Sequence, residues 1–181
     1  MEAPPWGLLL LRGLSAVDLR SVRTPRLLLK PVTWRDMDDM ARLKADGGAF
    51  GQMLGGVCTR QQAECEMADD IAFWACHRVG IFTIHENGQF VGMTGIHDRP
   101  DGRGFGLRFA LFAHARGRGI AREAANAALN FAHDAGLHRV IAVAAESNVA
   151  SRTILGGIGM HVCETFSRNG QTMMVYESKR T

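Results

Sequence analysis

Residues 114–123, His-Ala-Arg-Gly-Arg-Gly-Ile-Ala-Arg-Glu, set Arg116, Gly117, Arg118 and Gly119 directly before a stretch with helical apolar spacing. The first turn of a helix leaves backbone N–H groups unpaired at the positive end of the helix dipole. Glycines there carry no Cβ, so a phosphate can come directly against the backbone. The chemistry on offer is a phosphate grip. The stretch does not end in Gly-Lys-Ser/Thr and is not GxGxxG, which weighs against the nucleotide-hydrolase and dinucleotide readings. Two plainer readings use the same residues. One is a solvated turn; the other is an Arg-Gly contact to RNA, which wants repeats and aromatic neighbours where only one copy stands.

The rest of the chain makes any basic function local. Its 181 residues carry 21 Lys+Arg against 18 Asp+Glu, a formal charge of +3, far from the concentrated charge of a dedicated nucleic-acid binder. With 46% apolar and 22% charged residues the composition suits one globular domain with a substantial core. Cys58, Cys65, Cys76 and Cys163 form no CxxC pair and read as reduced thiols. No two of the seven histidines stand at HxxxH spacing, so no metal is expected. The apolar run in Trp-Gly-Leu-Leu-Leu-Leu-Arg-Gly-Leu near the N-terminus is too short to span a membrane and follows Glu2 instead of a basic region. Cytoplasmic residence is the expectation, with neither a membrane nor a nucleic acid as partner.

Elements that would position the grip follow from periodicity. Residues 26–32 read as a short strand and 33–46 as a helix capped by Thr33, with Met37, Met40, Ala41 and Leu43 on one stripe. The 47–56 segment is too glycine-dense for a regular element and reads as a mobile loop near a site. A second helix, capped by Thr59, covers 59–77. Glu86-Asn87-Gly88 turns a hairpin within 80–98, since Asn-Gly suits the twist of paired strands. Residues 105–115 are a further strand, and Gly119 to Ala135 switch to a helical period on an alanine-rich face ended by Gly136. A nearly continuous apolar strand (138–146), a short helix stopped by glycines (148–159) and a hairpin around Asn169-Gly170 complete the pattern.

Within that pattern Arg116-x-x-Gly119-x-Ala121 matches the Q/R-x-x-G-x-G/A signature of the GNAT acyltransferase superfamily. The blocks "RTPRLLLKPVTWRDMDDMARL", "WACHRVGIFTIHENGQFVGMTGIHD", "RGRGIAREAANAALNFAHDAGLHRV" and "NVASRTILGGIGM" resemble, in order and spacing, the branch containing ribosomal-protein N-terminal acetyltransferases. The resemblance covers Arg23 to Lys179. It implies an α/β (α+β) GNAT fold: a mixed, mostly antiparallel twisted sheet of about six or seven strands with about four helices, two central strands splaying at the cofactor site. Residues 1–22 would be an N-terminal extension and 23–181 a single domain.

Site roles follow from the same resemblance. Leu111, Phe112 and Ala113 would end the strand that pairs its backbone with the pantetheine arm of acetyl-coenzyme A, a free N–H there facing the thioester carbonyl. Arg116, Gly117, Arg118, Gly119, Ile120 and Ala121 would hold the pyrophosphate. Asn148 matches a pantetheine contact, with Arg152 on the same cofactor side, and Ser151 matches the residue suggested to protonate the leaving thiolate. Two departures stand out: Leu155 fills the position where many members carry a tyrosine acid, and Gly156-Gly157 should fray the short helix. His97 and Glu146 are the candidates to take the amine's proton, directly or through water.

The implied activity is N-acetylation of a primary amine by direct attack in a ternary complex, with acetyl-coenzyme A as cosubstrate. A neutral amine is required, and at pH 7 deprotonation costs about 4.6 kcal/mol for a lysine but about 1 kcal/mol for an α-amine. A protein or peptide N-terminal α-amine is therefore the leading acceptor. The alternatives are a small-molecule amine (an amino acid, polyamine or antibiotic) and a non-catalytic acyl-coenzyme A-binding module. The resemblance also allows a homodimer.

Overall fold

A computed structural model describes residues 20–180. The expected N-terminal extension lies, as far as residue 19, outside them. One eight-stranded sheet carries the fold, in the order β1-β2-β3-β4-β5-β6-β8-β7. Its strands are β1 (Val22–Arg23), β2 (Leu27–Pro31), β3 (Ile81–Glu86), β4 (Gln89–Asp98), β5 (Phe105–Leu111), β6 (Arg139–Ala145), β7 (His161–Arg168) and β8 (Gln171–Lys179). Five helices accompany it among the described residues: α1 (Met37–Ala45), α2 (Gly47–Phe50), α3 (Arg60–His77), α4 (Ile120–Asp134) and α5 (Val149–Gly157).

Both counts exceed the sequence expectation for local reasons. Strand β1 is two residues long, pairing Val22 with Leu29 and Arg23 with Leu28, too short to show any period. Helix α2 forms inside the glycine-dense segment because Asp46 caps it: its Oδ1 accepts the N–H groups of Gly48 and Ala49 at 2.8 and 3.1 Å. Phe50 then drops into the core. The third strand of the expected pattern also ends earlier than residue 115. It stops at Leu111, and Ala113–Ala115 wind into a 3-10 turn.

The hairpins form where Asn-Gly stands. Asn87 and Gly88 take φ of 50° and 80°, Asn169 and Gly170 take 51° and 77°, a left-handed pair that matches strand twist. Helix α3 begins at a reciprocal box in which Thr59 N–H donates to Gln62 Oε1 and Gln62 N–H to Thr59 Oγ1. Helix α4 buries Ile120, Ala124, Ala125, Ala128, Leu129 and Ala132. That alanine face lets it sit close on β4 and β5. Helices α1, α2 and α3 pack together and reach the sheet at β4 and β5.

Every neighbouring pair in the sheet is antiparallel except β5 and β6. Those two run parallel and meet at one registered pair, Gly106 against Ile141. Beyond it they part, and residues 107–111 and 142–145 face the two walls of a cleft. The splay is the feature that makes a site.

Candidate active site

The cleft has a volume of about 740 Å³. Its β5 wall has a defined backbone chemistry. Phe112 N–H donates to Val91 O at 3.1 Å, which fixes the phase of the β4–β5 ladder. Antiparallel ladders alternate the direction of their backbone groups. Phe109 and Leu111 therefore turn N–H and C=O away from β4, toward the space that β6 has left. The Leu111 carbonyl is taken by Arg116, whose Nε and Nη2 donate to it at 3.1 and 2.9 Å. The N–H groups on that edge are left for a ligand.

The floor of the cleft is the entry to α4. Gly117 and Gly119 take φ of 72° and 78°, a left-handed region that strains any residue with a Cβ. Gly119 is the N-cap of α4 and offers no side-chain acceptor, so the first-turn N–H groups are open. Arg116, Gly117, Gly119, Ile120 and Ala121 all line the cleft. Arg118 does not. Its guanidinium turns to Glu86 on β3, with Nη1–Oε1 at 3.1 Å and Nη2–Oε2 at 2.7 Å. Arg122, which the sequence reading passed over, lines the cleft instead.

Arg122 packs against the second glycine of the Gly156-Gly157 departure. Its Nη2 donates to the Gly157 carbonyl at 2.8 Å, joining α4 to α5. A Cβ on Gly157 would stand 2.9 Å from Arg122 Nε and 3.0 Å from its Cζ. The helix ends at these glycines, as expected: Gly156 and Gly157 are its last two residues, and Gly159, at φ 87°, follows it.

Helix α5 brings Asn148 and Ser151 to the other wall. Asn148 caps the helix, its Oδ1 accepting Ser151 N–H at 3.1 Å, and still lines the cleft with its amide nitrogen unspent. The Ser151 hydroxyl has no hydrogen-bond partner among the described residues. Leu155 is buried and lines the same wall. Tyr176 is a core residue whose hydroxyl accepts from Arg152 Nε at 3.4 Å, and it does not line the cleft. Arg152 holds the chain together here: its Nη1 donates to Glu146 O at 2.8 Å, and it does not line the cleft. Nor do Phe112, Ala113 or the exposed Glu146.

His97 does line it. Burial first, then the positive charges of Arg108 and Arg99, push its imidazole down to about 3. The ring is neutral at physiological pH and takes up a proton reluctantly. Since an unfolded chain protonates histidine near 6.5, the unfolded state binds the extra proton between pH 6.5 and 3. Stability should therefore fall with acid across that window. Urea midpoints at pH 7 and pH 4 for the native chain and for His97→Gln check this: the substitution should flatten the loss.

Charged residues that the sequence reading did not single out complete the site. Glu66, Arg99, Arg108 and Arg168 also line the cleft. Lys44 is fully buried and pairs with Glu66, with Asp70 Oδ2 at 3.8 Å. Burial raises the Glu66 carboxyl, but Lys44 and Arg108 outweigh it and hold the group below its ordinary value. The 47–56 segment supplies Phe50, Met53 and Leu54 to the wall. Among the described residues, no group of three or more His, Cys, Asp or Glu is placed to hold a metal ion, and no helix is long and apolar enough to cross a membrane.

Comparison with known proteins places this arrangement. The acetyltransferase (GNAT) domain family matches residues 26–161. No curated protein matches the chain by sequence. Among solved structures, an acetyltransferase from Agrobacterium tumefaciens superposes with a TM-score of 0.76 at 24% identity, covering 88% of this chain and 94% of that one. Mycobacterium smegmatis RimJ in complex with a coenzyme A disulfide gives 0.70 at 20% identity, over 84% and 81%. The ribosomal-protein-S5-alanine acetyltransferase from Vibrio fischeri gives 0.72 at 13% identity, over 88% and 96%.

Proposed function

The chain belongs to the GNAT acetyltransferase family, and from that premise we propose that it moves the acetyl group of acetyl-coenzyme A to a primary α-amine by direct attack in the cleft. Bound acetyl-coenzyme A supplies a thioester whose carbonyl carbon forms the new C–N bond as the C–S bond breaks. The residues present suit that cosubstrate. Gly117 and Gly119 keep the approach to the α4 N-terminus free of Cβ atoms, so the diphosphate meets open N–H groups. The outward-turned N–H groups of Phe109 and Leu111 continue the β5 ladder onto the pantetheine and face the thioester oxygen. Asn148 offers its free amide nitrogen to the same arm. Ser151 stands where its hydroxyl can return a proton to the departing sulfur.

The observation that carries the choice of acceptor is the shortage of base. His97 is held near 3, Lys44 and Arg108 outweigh burial to hold the Glu66 carboxyl below its ordinary value so that it takes a proton poorly, and Glu146 lies outside the lining. The amine must arrive neutral by its own acidity and lose its second proton to water. An α-amine does so at pH 7 about 10²–10³ times more readily than a lysine, from the two ordinary pKa values. Coenzyme A release with a free-N-terminus peptide and with an N-blocked lysine peptide tests this. The first should turn over at least about 100-fold faster in kcat/KM; equal rates would mean that a base has been missed. The contribution of α2 and Phe50, Met53 and Leu54 to the wall favours a second reading, a small-molecule α-amine enclosed by that segment. Binding of acetyl-coenzyme A with no turnover on any amine would leave only the non-catalytic module.

A further inference from the structure

The cleft lining has a charge arrangement that the transfer itself does not use. Two of its cations are matched, Arg99 by Asp101 and Arg108 by Asp70, with Nη2 at 3.1 and 3.2 Å from the two carboxylate oxygens, and the buried Lys44 pairs with Glu66. Arg168, at the end of β7, has no acceptor among the described residues, and it lines the cleft. Arg108 is matched but under-used. Its Nη1 stands 4.0 Å from Glu66, beyond hydrogen-bond reach, and its Nε has no acceptor among the described residues. A guanidinium offers five donors in a planar fork suited to carboxylates. Burial lowers the proton affinity of His97 most, and the charges of Arg108 and Arg99 lower it further, so their positive field reaches the cleft lining.

We infer that the acceptor carries a carboxylate besides its amine, and that Arg168, with the free Nη1 edge of Arg108, reads it. The inference rests on the acetyltransferase reading above. It names the acceptor by chemistry: a primary α-amine on a molecule with an anionic carboxylate within the reach of the cleft. A free amino acid and a peptide beginning with Asp or Glu both meet that description. A polyamine does not.

The test is a set of matched acceptors that differ only in carboxylate against amide, followed by coenzyme A release. Free amino acids are compared with their amides, and peptides beginning Asp or Glu with those beginning Asn or Gln. The native protein should show a KM at least about tenfold lower for the carboxylate member of one set, the magnitude of one charge-assisted hydrogen bond. Which set shows it identifies the source. In Arg168→Ala that preference should shrink toward unity, and Arg168→Lys should restore part of it; circular dichroism should show both variants of this half-buried residue folded. Equal KM values for carboxylate and amide members in both sets, with turnover intact, overturn the inference and leave the acetyltransferase reading standing. No turnover on any amine overturns both.

Discussion

Gly119→Glu should abolish acetyl-coenzyme A binding, with the affinity measured by calorimetry falling at least about 100-fold. Two effects act together. Gly119 sits at φ 78°, where a Cβ costs about 1–2 kcal/mol, so the turn would tend to relax away from the geometry that opens the first-turn N–H groups. The new carboxylate would also occupy the anion position itself. The native turn avoids that conflict with care. Glu123 lies in the first turn of α4, but Thr24 Oγ1 donates to it at 2.6 Å and Arg26 Nε at 2.8 Å, so its charge is spent. Arg26 also donates to the Arg118 carbonyl at 2.8 Å and has no donor to lend a second carboxylate at no cost. Gly119→Ala separates the two effects, since it carries the strain without the charge and should lose about tenfold. Circular dichroism should show both variants folded. Retained binding in Gly119→Glu would remove the phosphate grip from α4 altogether.

That grip could be read in the sequence because its causes are local. Gly117, Gly119 and the switch to helical spacing at Ile120 are neighbours in the chain, and so are Asn148 and Ser151 on α5. The same holds for the two Asn-Gly turns. What escaped has causes that are distant in the chain. Arg116 and Arg118 both stand in the expected phosphate turn, yet one folds back on the Leu111 carbonyl and the other reaches Glu86 on β3, a choice made by the tertiary position of that hairpin. Arg122 lies where a Cβ on residue 157, distant in the chain, would crowd its guanidinium. Glu66, Arg108 and Arg168 come from α3, β5 and β7, elements distant in the chain, and share only the lining of the folded cleft. One signal was available. Asp70 falls on the buried stripe of α3 with Ala63, Met67 and Trp74, and Arg108 interrupts the otherwise uncharged run of β5. A carboxylate and a cation placed on buried faces predict each other.

Lys44 is the residue where that logic has the largest energetic consequence. It sits on the stripe of α1 that buries Met37, Met40 and Leu43, and its side chain is 1% exposed. Its ammonium serves Glu66 and Asp70 at once. Removing one partner of a buried ion pair costs about 3–5 kcal/mol, because the remaining charge keeps its desolvation cost and loses its compensation. Lys44→Ala should lie near the lower figure, since Glu66 reaches solvent and Asp70 keeps Arg108. At about 2–4 °C per kcal/mol for a chain of this size, the melting temperature at pH 7 should drop by roughly 6–12 °C. The pH dependence distinguishes lost charge from a simple cavity. Burial already raises the Asp70 carboxyl above its ordinary value, against the pull of Arg108 and Lys44. Without Lys44 it rises further, so the folded variant holds a proton that the unfolded chain has released. A group raised in this way adds its stability below the unfolded value and loses it as pH climbs through the folded one. The gap in melting temperature between native and Lys44→Ala should therefore narrow from pH 7 toward pH 4. A gap of constant size across that range would mean that the methylene stem, and not the ammonium, is what α1 and α3 share.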